Sequence, residues 1–257
     1  MDLKLSKRQF LVTGGTSGFG GAVSRALARE GAEVIVVARN REKLYELQKQ
    51  YPDQIKTVQG DITESKTIDK AISEIDTNIF DGALINSGGP PAKAFLETTL
   101  NDWDNSYKDL MRWKIEITQK LLPFLQKKSY GRIVYIESIS TKQPVENLVL
   151  SNSIRLGVVG FVKTLSQEIA GSGINLNILA PGYHDTAALK RIFKKKAEVE
   201  GITEEEARKK FEQKTPMGLG NPDDMATLAL WLLSPHSRYV TGQTISHDGS
   251  VMKGIFG

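Results

Sequence analysis

The chain has 257 residues, 40% of them hydrophobic and 25% charged, and a net charge of +4, a composition that suits one sizeable globular core. It has no cysteine, and its three histidines, His184, His236 and His247, share no ligand spacing, which excludes disulfides, thiolate sites and cysteine nucleophiles and leaves no metal site to expect. Basic and acidic residues are interspersed, without the one-sided stripe of a nucleic-acid surface, and no stretch approaches a membrane span. The first residues, Met1–Arg8, carry charge but no apolar leader, so a cytoplasmic location is expected. Phe10–Val12 is an apolar run that enters a glycine-rich turn. A helix from Gly18 to Glu30 follows, with Ala22, Val23, Ala26 and Leu27 at helical spacing and Gly31 as its stop. Glu33–Ala38 is a β-branched run of the kind buried on both faces of a parallel sheet. Next come a helix from Arg41 to Tyr51, a strand over Ile55–Gln59, a helix from Thr63 to Ile75 and a strand over Gly82–Asn86. One long helix is predicted from Leu100 to Gln126, then a strand over Gly131–Ile136, a helix from Leu148 to Ala170 and a strand over Ile174–Leu179. Residues 183–215 read as an inserted pair of short helices, before a last helix, Asp223–Leu233, and a last strand, Gln243–Ser246. This alternation predicts an α/β fold, a doubly wound parallel sheet of Rossmann type with helices on both faces, forming one domain over 1–257.

In such a sheet a ligand lies beyond the carboxyl ends of the strands, where strand order reverses. After the first strand, Gly14, Gly18 and Gly20 sit between strand and helix. Glycines there let the backbone approach a phosphate, and the helix start supplies free N–H groups, so a nucleotide pyrophosphate site is expected. Two better-known loops do not fit: Gly21-Ala22 stands where a P-loop needs Lys-Ser/Thr, and Val23 stands where Gly-x-Gly-x-x-Gly needs its last glycine. After the second strand, Ala38 fills the slot where an NAD site places an acid, and Arg39 follows. A guanidinium pairs with a 2′-phosphate, which favours NADP over NAD, although Arg39 could also be merely solvated at a helix start. Gly60-Asp61-Ile62 and Asn86-Ser-Gly-Gly89 follow the third and fourth strands and suit an adenosine.

These residues resemble the short-chain dehydrogenase/reductase family, in its branch similar to 3-oxoacyl-carrier-protein reductases. Thr13-Gly14-x-x-x-Gly18-x-Gly20 is similar to the cofactor loop, Asp61 to the adenine-contacting acid and Asn86-Ser-Gly-Gly89 to an Asn-Asn-Ala-Gly segment. Pro181-Gly182-Tyr183 with Asp185-Thr186, and Thr241-Gly-Gln243 with Asp248-Gly249, resemble the motifs after and within the last strands. The resemblance implies a cofactor site built on Gly14, Thr16, Ser17, Gly18, Phe19, Gly20, Arg39, Asp61, Ile62, Asn86, Gly88, Arg155, Pro181, Gly182 and Thr186. It implies hydride exchange between nicotinamide and a small carbonyl or alcohol, with a tyrosine acid, a lysine four residues on, a serine and an asparagine.

Only the serine, Ser138, keeps its type; Ser151 stands for the tyrosine, Arg155 for the lysine and Leu110 for the asparagine. Ser138 and Ser151 suit polarising a carbonyl oxygen, while a hydroxyl of this kind is a far weaker acid than a phenol. Arg155 keeps the charge but does not give up a proton. Tyr183 and His184, after the sixth strand, are the substitute acids, or they pack under the lid and face solvent respectively. Tyr135 and Glu137 are weaker candidates, because alternation turns them from the face of Ser138. The expected function is an NADP(H)-dependent oxidoreductase with a non-standard proton donor; the alternative is an impaired dinucleotide-binding sensor or scaffold.

Leu189, Ile192, Phe193 and Ala197 give the insertion an apolar stripe, Thr203–Glu206 a capping box, and Lys190, Arg191, Lys194, Lys195 and Lys196 a basic cluster. The cluster is read either as an attractor of an acidic substrate or as a solvated face. The resemblance also implies a homo-oligomer, tetramer or dimer, paired through the helices 100–126 and 148–170, with Trp103, Tyr107 and Trp113 at the interface or in the core.

Overall fold

The computed structural model describes residues 1–213 and 215–255. Chain order runs β1 (Gln9–Thr13), α1 (Gly18–Arg29), β2 (Glu33–Ala38), α2 (Arg41–Gln50), β3 (Ile55–Gln59), α3 (Ser65–Ser73) and β4 (Phe80–Ile85). It continues with α4 (Leu100–Tyr107), a wider π turn (Lys108–Arg112), α5 (Trp113–Lys128), β5 (Gly131–Ile136), α6 (Val149–Glu168) and β6 (Ile174–Pro181). The remainder is α7 (Ala187–Glu200), α8 (Glu204–Glu212), α9 (Pro222–Leu233) and β7 (Thr244–His247). The seven strands form one sheet in the order β3-β2-β1-β4-β5-β6-β7, every neighbouring pair parallel. Strand order therefore reverses between β1 and β4, and their carboxyl ends open the crevice in which such sheets bind ligands.

Strand alternation sorts the core into two layers. Phe10, Val12, Val34 and Val36 face α1, α2 and α9, packing with Val23, Leu27, Leu44 and Leu230. Leu11, Ile35 and Val37 face the other way, with Trp113, Ile117, Tyr135 and Val158 from α5, β5 and α6. β6 also carries two buried asparagines. Asn175 Nδ2 donates to the carbonyls of Ser237 and Val240, both at 3.0 Å. Asn177 Nδ2 donates to Val240 O at 2.8 Å and its Oδ1 accepts from Gln243 N at 3.1 Å. These bonds steer the chain from α9 into β7.

Two predicted helices change. The helix expected from Leu100 to Gln126 is interrupted by the π turn. Such a turn takes one extra residue, and Leu110, Trp113, Ile117 and Leu121 keep helical spacing through it, so the sequence pattern does not register the change. Trp113 lies wholly in the core, its indole N–H donating to Asp109 O at 2.8 Å, and is not an interface residue. The helix expected from Thr63 starts at Ser65, because Asp61 Oδ1 accepts from Thr63 N and Oγ1 at 3.0 and 2.9 Å and holds a turn there.

Helices α7 and α8 enclose a small core of their own, Leu189, Phe193, Ala197 and Ala207, against which Tyr183 and Phe211 pack. The Thr203–Glu206 capping box is present. The side chains of Arg191, Ile192 and Lys195 lie outside the described residues. Among the described residues no helix is long and apolar enough to cross a membrane.

Candidate active site

The carboxyl edge of β1, β2, β4, β5 and β6 borders a cleft of about 650 Å³. Gly14 and Gly18 have φ of +59° and +52°, the left-handed region that favours glycine. Ser17 precedes α1 without capping it through its side chain. Across the reversal point, Thr13 Oγ1 donates to Asn86 O at 2.8 Å and accepts from Asn86 N at 2.7 Å, which fixes the two walls. Every expected cofactor residue lines this cleft except Gly20. Gly20 stands behind it: a Cβ there would meet the Gly14 carbonyl group, with the carbonyl carbon at 2.8 Å and Asn86 Nδ2 at 3.0 Å. The turn thus has no room for a side chain at 20.

At the far end, Arg39 is largely exposed and lies 3.7 Å from Asp61. Lys43, in the first turn of α2, lines the same end and supplies a second cation that the sequence reading missed. Its position four residues after Arg39 was the available signal. Asp109 also lines the cleft, its carboxyl pKa raised, first by burial and then by Asp61.

Ser138 and Ser151 line the opposite end. Ser138 Oγ accepts from Ser140 N at 3.1 Å, and Ser151 Oγ accepts from Arg155 Nε at 3.1 Å. With an N–H bound to each oxygen, both O–H groups are left to donate. Arg155 is buried and also donates to Gly88 O at 3.4 Å and to Glu137 Oε2 at 2.8 Å. Glu137 continues the alternation of Tyr135 toward α5 and α6, away from the face of Ser138 as expected, and on that side its carboxylate pairs with Arg155, which lines the cleft. The other carboxylate oxygen accepts from Lys114, whose side chain is completely buried. Burial, then the charge of Arg155, pulls the Lys114 pKa down, against the pull of Glu137. Lys114 has no motif; its only signal is a lysine on the apolar stripe of Leu110, Trp113, Ile117 and Leu121. Leu110 is buried in the core and offers no polar group.

His184 is buried rather than solvated. Its Nε2 bonds His247 Nδ1 at 2.9 Å, its Nδ1 faces Gly182 O at 3.2 Å, and burial lowers its pKa. Both ring nitrogens are therefore occupied. Tyr183 packs edge-on against Phe211, ring centroids 5.5 Å apart, and burial raises its hydroxyl pKa. It borders both the cleft and an adjoining cavity of about 370 Å³ lined by Ile139, Val145, Lys196, Phe211 and Met252. Tyr135 is wholly buried against Thr118 and takes no part in the cleft. Of the basic cluster, Lys196 faces this cavity while paired to Glu200 at 2.9 Å, and Lys190 lies 3.9 Å from Asp185.

Residues 14–251 match the family model described as enoyl-(acyl carrier protein) reductase. The chain is 30% identical to the 3-oxoacyl-(acyl-carrier-protein) reductase of Aquifex aeolicus, over 98% of this chain and all of that protein. Among solved structures it resembles L-sorbose reductase from Gluconobacter frateurii in complex with NADPH and L-sorbose, with a TM-score of 0.92 at 22% identity, over 99% of this chain and all of that one. It also resembles actinorhodin polyketide ketoreductase with NADPH, with a TM-score of 0.89 at 26% identity, over 95% and 97% of the two chains. With a sheet that reverses at β1 and β4, a glycine turn at that point and matches along nearly its whole length, the chain belongs to the short-chain dehydrogenase/reductase family.

Proposed function

We propose that the protein is an NADP(H)-dependent oxidoreductase that exchanges hydride with a small carbonyl or alcohol substrate. The observation that carries this reading is the pair of serine hydroxyls, each accepting from an N–H and so left to donate, at one end of a dinucleotide-sized cleft. NADPH, present in the sorbose reductase and ketoreductase complexes, would supply the hydride. The glycine turn and α1 fit its pyrophosphate, Asp61 and Ile62 its adenosine, and Arg39 with Lys43 a 2′-phosphate. Ser138 and Ser151 hold and polarise the acceptor oxygen. Tyr183 is the proton donor in this reading, since His184 has both nitrogens bonded. An alkoxide is far more basic than a phenolate, so even a phenol with a raised pKa gives up its proton downhill. Substrate enters through the adjoining cavity beneath α7 and α8.

The test is NADPH oxidation over a panel of ketones, oxoesters and aldehydes. Ser138→Ala should lower kcat by about 10²–10³-fold, the cost of one lost oxyanion donor. Tyr183→Phe should lower kcat by about 10²-fold or more if it is the acid, and unchanged turnover would remove it from that role. Reading Ser151 and Arg155 in the places of the family's tyrosine and lysine favours a second reading, a dinucleotide-binding sensor or scaffold, which tight NADPH binding without turnover on any substrate would select.

Arg39→Ala should raise the NADPH Kd about tenfold, the typical worth of a charge-assisted contact, and leave NADH binding unchanged. Equal losses for both dinucleotides would remove Arg39 from the 2′-phosphate. We also place a homo-oligomer contact on the face where Phe95, Leu96, Leu100 and Leu156 are exposed, and sedimentation as a monomer would refute it.

A further inference from the structure

Beneath the two serines lies a buried trio that no part of the proposed chemistry has yet used. Lys114 from α5, Glu137 from the end of β5 and Arg155 from α6 are joined by hydrogen bonds, and none is more than 7% exposed at its side chain. Their charges do not balance, because one carboxylate serves two cations. Arg155 also donates to Ser151 Oγ and Gly88 O, and beside Lys114 the Thr118 hydroxyl bonds the Tyr135 hydroxyl and donates to Lys114 O. The Trp113 ring lies 5.8 Å from the Lys114 nitrogen. Among the described residues no second carboxylate is bonded to the trio.

Arginine stays protonated at any ordinary pH. An apolar interior penalises the surplus positive charge, and the only group able to shed it is Lys114. As an amine, Lys114 leaves a neutral Glu137–Arg155 pair; as an ammonium, it leaves the site with a net positive charge directly below Ser151. An anion in the cleft attracts that charge and favours the ammonium. We infer that Lys114 is a positioning residue of this site: it anchors Glu137 under Arg155, so that Arg155 presents Nε to Ser151, and it takes up one proton from solvent when an anionic dinucleotide occupies the cleft.

This inference rests on the cofactor reading above, and binding linkage provides the test. NADPH binding is followed by calorimetry in phosphate and in Tris at the same pH, for wild type, Lys114→Met and Lys114→Arg. In wild type the heat should differ between buffers by the signature of proton uptake. Lys114→Met has no proton to gain and Lys114→Arg already holds its own, so both should lose that difference. In steady-state assays Lys114→Met should lower kcat by about 10²-fold, as misplacing a reacting group does, with the KM for NADPH changed less than about threefold. Lys114→Arg should restore kcat and flatten the alkaline limb of its pH profile. Equal buffer dependence in wild type and Lys114→Met would overturn the inference, as would superimposable pH profiles. If NADPH gives no heat with wild type, the cofactor reading fails first, and stability decides the charge state of Lys114. A lysine whose pKa is lowered by folding binds fewer protons folded than unfolded, so wild type should gain stability relative to Lys114→Met as pH rises toward the ordinary lysine value of about 10; parallel curves would overturn it.

Discussion

Replacing Glu137 with leucine is expected to destabilise the protein by about 3–5 kcal/mol, the cost of removing one partner from a buried ionic group. Among the described residues leucine takes away the one carboxylate that Lys114 and Arg155 share, and leaves the Arg155 charge and the Lys114 amine without a partner out of water. Lys114 carries no charge as an amine, which places the loss toward the lower end of that range; Arg155 stays charged. Urea unfolding measures it, as a fall in midpoint at unchanged slope. Adding Lys114→Met to Glu137→Leu should recover part of the loss, because it removes a buried polar group left without its partner. A double variant as unstable as the sum of the singles would show that the three side chains do not act as a unit.

The second large effect concerns the glycine turn. Gly20→Ala is expected to weaken dinucleotide binding by about 10–100-fold while scarcely changing the melting temperature. The new Cβ would press on the Gly14 carbonyl, whose carbon lies at 2.8 Å. Backbone cannot swing aside as a side-chain tip does, so the turn must shift, at about 1–3 kcal/mol. That cost falls on the segment that would touch the pyrophosphate, not on the sheet. Gly18→Ala provides the control. The nearest atom to its Cβ is 3.7 Å away, on Thr186, but its φ of +52° disfavours any side chain. It should weaken binding less than Gly20→Ala, and the reverse order in an NADPH fluorescence titration would show that conformation, rather than crowding, controls the cradle.

The sequence showed most plainly what continuous patterns encode. Glu33–Ala38, Ile55–Gln59 and Gly131–Ile136 occupy the strands expected of them, because apolar, β-branched runs between turn signals leave few alternatives. The cleft was legible for a related reason: strand ends are where ligands lie in this topology, and the residues just past β1, β2, β3, β4 and β6 can be counted along the chain. What escaped were features made by distant residues. Lys114 looks like one more helix lysine until α5 packs against β5 and brings it onto Glu137. His184 looks like a solvated histidine until β7 brings His247 beside it. The π turn leaves no trace, since the apolar stripe keeps its spacing across it.

The asparagines of β6 bear on how the chain is made. Asn175 and Asn177 take their partners from Ser237, Val240 and Gln243, more than 60 residues later. During synthesis these amides emerge well before anything that satisfies them. Until the segment after α9 arrives, β6 is an edge strand with polar side chains buried at cost and an unpaired backbone open to other strands. The carboxyl-terminal side of the fold therefore closes late, and a chain stalled between β6 and β7 carries the surface most in need of protection from aggregation.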